Sequence, residues 1–98
     1  MTDDAQPLLV FFASRTSGPA RRMESLIAHI ARKERDRLRV TRVDVDTRPE
    51  LAERFGVRTV PTVVLVKQNR TVGRIEGRAS APRIEGLLAQ HLPQEAAA

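Results

Sequence analysis

The apolar run Leu8–Ala13, LLVFFA, constrains the fold more than any other stretch, because it stands directly ahead of a turn and a long amphipathic helix. Six consecutive apolar residues suit a strand covered on both faces, a central strand of a layered α/β structure. Ser14 to Gly18 then makes a turn. Pro19 fits the first turn of a helix, where its missing N–H costs nothing, and Ser17 is placed to cap that helix. From Ala20 to about Arg37 the apolar residues are Met23, Leu26, Ile27, Ile30 and Ala31, spaced i, i+3, i+4, i+7, i+8. That is a helical stripe with charge on the opposite face. Residues 38–46, LRVTRVDVD, alternate with a shift at Thr41-Arg42 and read as a second strand. A helix crosses between the two strands, so they are expected to run parallel.

The remainder completes the sheet. Pro49 opens a short helix, PELAERF, which Gly56 stops. Residues 57–62 form a loop containing Val60-Pro61. VVLVK (63–67), a tight turn at 68–70 and TVGRIEG (71–77) form an antiparallel hairpin. Ser80 or Ala81, with Pro82, opens a last helix whose stripe is Ile84, Leu87, Leu88 and Leu92, and Pro93 ends it. The order βαβαββα implies an α/β fold with a four-stranded mixed sheet between helical layers. One domain is expected over residues 1–98, with a core at 8–92 and loose segments at 1–6 and 94–98.

Composition narrows the chemistry. The chain has no cysteine, which excludes thiol nucleophiles, disulfides and thiolate metal sites within it. His29 lies among charged residues with no His, Asp or Cys at metal-ligand spacing, so it is read as solvated and no metal or cofactor is expected. Asp44 and Asp46, two apart on a strand, would point to the same side, but without a partner histidine or phosphate loop they read as strand-end and turn residues. The start, MTDDAQP, lacks the basic and apolar segments of a signal peptide, and the apolar runs at 8–13 and 63–66 are far too short to span a membrane. A cytoplasmic location and no membrane contact are therefore expected. Net charge is +5, with 15 Arg against 2 Lys. The plain reading is solubilisation. With only three Phe and no Tyr or Trp, no stacking platform exists, and nucleic acid is not an expected partner.

The βαβαββα order, the SGPA turn before a long helix, FGVRTVPTVVLVK and the hairpin ending in Gly77 together resemble thioredoxin over residues 8–92. The resemblance implies the three-layer α/β/α thioredoxin-like fold in a short form, without the N-terminal strand and helix of full-length members. It also implies a cis Val60-Pro61 bond facing the active-site turn, with loop backbone able to pair with a bound peptide. Ser17 and Ala20 fall at the positions of the family's nucleophilic and resolving cysteines, and Thr16 where a tryptophan is usual. Phe11 or Val10 falls where a buried acid assists proton transfer, and Gly56 and Gly77 match structural glycines.

These departures remove the chemistry. Disulfide exchange needs an attacking thiolate and a second thiol, whereas a serine hydroxyl stays protonated without an adjacent base and Ala20 has no heteroatom. The simultaneous loss of the acid and the tryptophan points to natural loss of the chemistry rather than to an engineered pair of substitutions. The expected function is a redox-inactive, non-catalytic module that binds a protein or peptide, acidic in character, on the former active-site face. Arg15, Thr16, Ser17, Gly18, Pro19, Arg21, Arg22, Arg58, Val60 and Pro61 are the candidate contact residues. The arginines are expected to rim an apolar patch of Ala20, Val60 and Pro61, unless they merely solvate the surface or pair with Glu24 and other acids. Two alternatives stay open: a thioredoxin-family oxidoreductase in cysteine-free form, and a binder of anions or nucleic acid through surface arginines.

Overall fold

The computed structural model describes residues 6–92. Its elements are β1 (Leu8–Ala13), α1 (Gly18–Lys33), β2 (Arg39–Asp44), α2 (Pro49–Arg54), β3 (Thr62–Lys67), β4 (Arg70–Glu76) and α3 (Ala81–His91). The four strands form one sheet in the order β2-β1-β3-β4, parallel between β1 and β2 and antiparallel elsewhere. This is the expected βαβαββα fold with its mixed sheet.

Burial explains why the apolar run takes a central place. Leu9, Phe11 and Ala13 face one side, where α1 delivers Ala20, Met23, Ile27 and Ile30, and the α3 segment delivers Ile84, Leu88 and Leu92. Val10 and Phe12 face the other side with Val43 and Val64, covered by Leu51, Ala52 and Phe55 of the α2 segment. From Leu9 to Ala13 both faces of β1 are therefore dry, and alternation disappears from its sequence.

In β2 the shift at Thr41-Arg42 is a change of face and not a bulge. The pairing with β1 runs unbroken from Leu8↔Arg39 to Ala13↔Asp44. Val40 packs on the α1 side and Val43 on the α2 side, so the apolar positions swap faces midway along an edge strand. Arg42, at the swap, sends its guanidinium to Glu24 of α1 at 2.9 Å.

Boundaries move by small amounts. Helix α1 starts at Gly18 and ends at Lys33, earlier than the expected Arg37, because residues 34–37 tighten into a turn. Arg37 Nε donates to the Glu34 carboxylate at 2.7 Å there, and the Leu38 amide reaches the Glu34 carbonyl. The β3–β4 turn places Gln68 and Asn69 at φ 54° and 65°, the left-handed pair that matches strand twist in a two-residue hairpin. Gln6, expected in a loose leader, donates from Nε2 to the Asp36 carbonyl at 2.8 Å. The expectations for Pro93 and for the segments 1–5 and 94–98 lie outside the described residues. Among the described residues, no helix is long and apolar enough to cross a membrane.

Candidate functional site

The register collects the candidate residues at one end of the sheet. Ala13 pairs with Asp44, Phe12 with Thr62, and Thr62 with Glu76. The turn after β1, the end of β2, the loop before β3 and the end of β4 therefore emerge together. The Val60–Pro61 bond is cis, and the Pro61 carbonyl accepts from the Gly77 amide at 2.7 Å. Gly77 has φ +83°, a conformation that favours glycine.

A small polar network fixes the turn after β1. Ser14, 6% exposed, donates from its hydroxyl to Asp46 Oδ2 at 2.6 Å. A serine has one hydroxyl proton, so Thr16 Oγ1, 3.0 Å away, is the donor to Ser14, as is the Thr16 amide at 3.2 Å. The Asp46 amide donates in turn to Asp44 Oδ1 at 2.8 Å. The two aspartates are thus strand-end and turn residues, as their sequence context implied. Ser14 was not singled out by sequence, since a serine after a strand carries no signal until its distant partner Asp46 is placed beside it.

Ser17 is the N-cap of α1. Its backbone is extended, at φ −94° and ψ 113°, and its Oγ accepts from the Ala20 amide at 3.1 Å. The hydroxyl that stands where a thiolate would attack is engaged in helix capping. Neither histidine can serve it as a base. His29 is on the exposed face of α1, and His91 lies beside Lys67, whose Nζ donates to the His91 carbonyl at 2.8 Å at the far end of the sheet. Ala20 is fully buried in the same cluster as Phe11, while Val10 lies on the opposite face of the sheet. The apolar ring of Phe11 therefore belongs to the layer beneath the turn.

The expected apolar patch needs correction. Ala20 has 0% exposure, because it lies on the inward stripe of α1, and Pro61 is below 2%, because it enters the core just ahead of β3. Only Val60 remains half-buried, packed against the cluster that contains Ala20. Its amide and carbonyl make no backbone hydrogen bond among the described residues.

The expected arginines divide. Gly18, Arg21 and Arg22 line one surface concavity of about 330 Å³. Arg15 leans toward Asp44 with 4.0 Å between Nε and Oδ2, and its side chain is 82% exposed, so the pair holds it weakly. Arg21, Arg22 and Arg58 are exposed and form no ion pair among the described residues, since Glu24 is taken by Arg42. Arg78, directly after Gly77, is a further exposed cation at this end that the sequence did not single out. Thr16 is exposed, and Ser17 and Pro19 are half-buried. No group of three or more His, Cys, Asp or Glu is placed to hold a metal ion among the described residues.

The comparisons agree with this frame. A family model described as Thioredoxin matches residues 1–90. The chain is 33% identical over 87 residues to a thioredoxin of Griffithsia pacifica, covering 89% of this chain and 80% of that protein. It is 40% identical over 75 residues to thioredoxin-1 of Drosophila melanogaster, covering 76% and 69%. Among solved structures, the germline-specific thioredoxin Deadhead of the same fly superposes with a TM-score of 0.83 at 33% identity, covering 90% of this chain and 83% of that one. The thioredoxin NaTrxh of Nicotiana alata gives 0.81 at 34%, covering 88% and 73%. With its fold, its turn and its relatives in agreement, this chain belongs to the thioredoxin family.

Proposed function

We propose that this chain is a redox-inactive member of its family that binds a protein or peptide segment of acidic character on the face built by the β1–α1 turn and the Val60–Pro61 loop. A dithiol reaction requires two thiols, and the chain has none. Ser17 and Ala20 do not substitute for them, since one caps a helix and the other is buried without a reactive atom.

The observation that carries the reading is the unpaired backbone of Val60 beside exposed, unbridged arginines. An extended segment could pair with that amide and carbonyl as an added strand, and its carboxylates would meet Arg21, Arg22 and Arg58. The dipole of α1 adds a favourable field for negative charge, with the Gly18 amide the one N–H of residues 18–21 that has no recorded partner among the described residues. The apolar contribution is small, limited to Val60 and Pro19, so backbone pairing and charge supply most of the recognition.

The test compares affinity capture by the native chain and by Arg21→Glu/Arg58→Glu, both exposed positions whose reversal leaves the core untouched. Partners held by the native chain should be absent from the variant. Equal capture by both, or no capture by the native chain, overturns the reading.

A second experiment separates it from a substituted oxidoreductase. Ser17→Cys/Ala20→Cys restores the dithiol over a layer that holds Phe11 and no acid. A proton-transfer group contributes roughly 10²–10⁴-fold, so insulin reduction by the double variant should stay slow. Reduction at the rate of an ordinary thioredoxin would show that only the thiols had been missing.

A further inference from the structure

Helix α1 carries two dibasic steps, Arg21-Arg22 and Arg32-Lys33, eleven residues apart. At about 3.6 residues per turn, that spacing is close to three whole turns, so the two steps lie in line, about 16 Å apart along the axis. The buried stripe of Ala20, Met23, Ile27 and Ile30 turns the other way, into the core. All four cations are therefore exposed on the outer face of the helix. Helix stability accounts for one step only. Arg32 and Lys33 suit the negative end of the helix dipole, whereas Arg21 and Arg22, close to the positive end, gain nothing from it.

Between the two steps the same face carries Ser25, Ala28 and His29, all exposed and all shorter than the arginines. The only acidic residue within 21–33 is Glu24, and its carboxylate turns aside to Arg42 at 2.9 Å. Arg21, Arg22 and Arg32 form no ion pair among the described residues. Lys33 has one bridge, to Glu85 at 3.2 Å, between two half-exposed side chains, and such pairs are worth little in water. The outer face is thus a ridge with cations at both ends, no free carboxylate between them and no large apolar side chain.

We propose that this face binds duplex DNA through its phosphates, with one dibasic step on each strand. The major groove is about 12 Å wide, so steps about 16 Å apart bring their charges to the phosphates along its two rims. The small side chains of Ser25 and Ala28 let the helix approach. Arginine suits the role, because its planar fork donates to two phosphate oxygens at once. The net charge of +5 draws the polyanion in. A protein is the poorer occupant, since protein partners are held mainly by buried aromatic and apolar anchors and this face offers none. Single strands are poorer too, because the chain has no Tyr or Trp on which a base could stack. Duplex RNA has a major groove too narrow for the ridge. The Val60–Pro61 loop takes no part, so the proposal stands whether or not that loop binds a partner.

The test is a titration of a fluorescent DNA duplex of about 20 base pairs with the full chain, read by anisotropy across a salt series. Four phosphate contacts predict a slope of about −3.6 in log affinity against log salt. Arg32→Ala/Lys33→Ala should bring the slope to about −1.8 and weaken binding on the order of tenfold or more at about 50 mM salt. Arg39→Ala/Arg54→Ala, which removes the same charge from exposed positions off this helix, should leave the slope as it is. Equal losses in the two variants would reduce the effect to net charge and overturn the proposal. So would the absence of binding at low salt, or tighter binding of a single strand than of the duplex. Displacement of the duplex by polyglutamate at equal charge concentration would assign the face to an acidic protein instead. Backbone amide shifts on adding the duplex should fall within residues 21–33 and spare residues 58–61, and the reverse pattern would overturn the assignment to α1.

Discussion

At the scale of single residues, the chain shows how polar side chains are engaged before any partner arrives. Ser17 uses its acceptor on the Ala20 amide, Ser14 its proton on Asp46, and Glu24 its charge on Arg42. Glu50 shows how a neighbouring cation acts on an exposed carboxyl. Arg48 donates to its Oε2 at 2.8 Å, and that bond, followed by the residue's own backbone amide, holds its pKa below the usual carboxylate value. A carboxyl with a depressed folded pKa contributes stability above its unfolded pKa, and the contribution is lost as pH falls through the folded value. Glu50 is fully exposed, so the effect belongs in a titration curve and not in a melting curve. In Arg48→Ala, the Glu50 side-chain resonance should titrate at higher pH than in the native chain. An unchanged midpoint would mean that Arg48 is not the cause.

Among the elements, α2 depends most on a single distant side chain. It is short, begins at Pro49 and has no side-chain cap at Arg48. Gly56, at φ +67°, turns the chain out of the helix. Arg74 of β4 then reaches under that exit and donates to the carbonyls of Phe55 and Gly56. Arg74→Met keeps the apolar stem and removes the donors. The loss of such bonds is worth about 1 kcal/mol, which corresponds to a roughly fivefold change in a local opening equilibrium. Amide exchange at Phe55 and Val57 should accelerate by about that factor, while the amides of α1 should be unaffected. A uniform change through the whole chain would instead make Arg74 a global determinant.

For the molecule as a whole, stability rests on two unequal apolar layers around β1. The α1/α3 layer is broad, and the α2 layer is narrow, with Val10, Phe12, Val43 and Val64 as its buried cluster among the described residues. Phe12 is the largest of these and is completely buried. Phe12→Ala should cost about 3–5 kcal/mol, a large part of the roughly 5–15 kcal/mol that holds a domain folded. Leu8→Ala, at a half-buried position on the same face, should cost clearly less. Denaturant midpoints of the two variants measure the difference. Equal losses would mean that the Leu8 end is as tightly packed as the Phe12 end.

Much of this was legible in the sequence by itself. The unbroken run LLVFFA demanded a strand covered on both sides, the 3.6-residue stripe after Pro19 demanded a helix on one of them, and the absence of cysteine removed thiol chemistry. Those features depend on neighbours along the chain, and local spacing reports them. Tertiary structure decided what depends on residues far apart. Ser14 acquired meaning only when Asp46, 32 positions away, came within 2.6 Å. Ala20 and Pro61 left the candidate surface because residues from several elements closed over them. The swap of faces in β2 became visible only through its register with β1. Burial and charge neighbourhood are sums over the whole fold, and no window of sequence contains them.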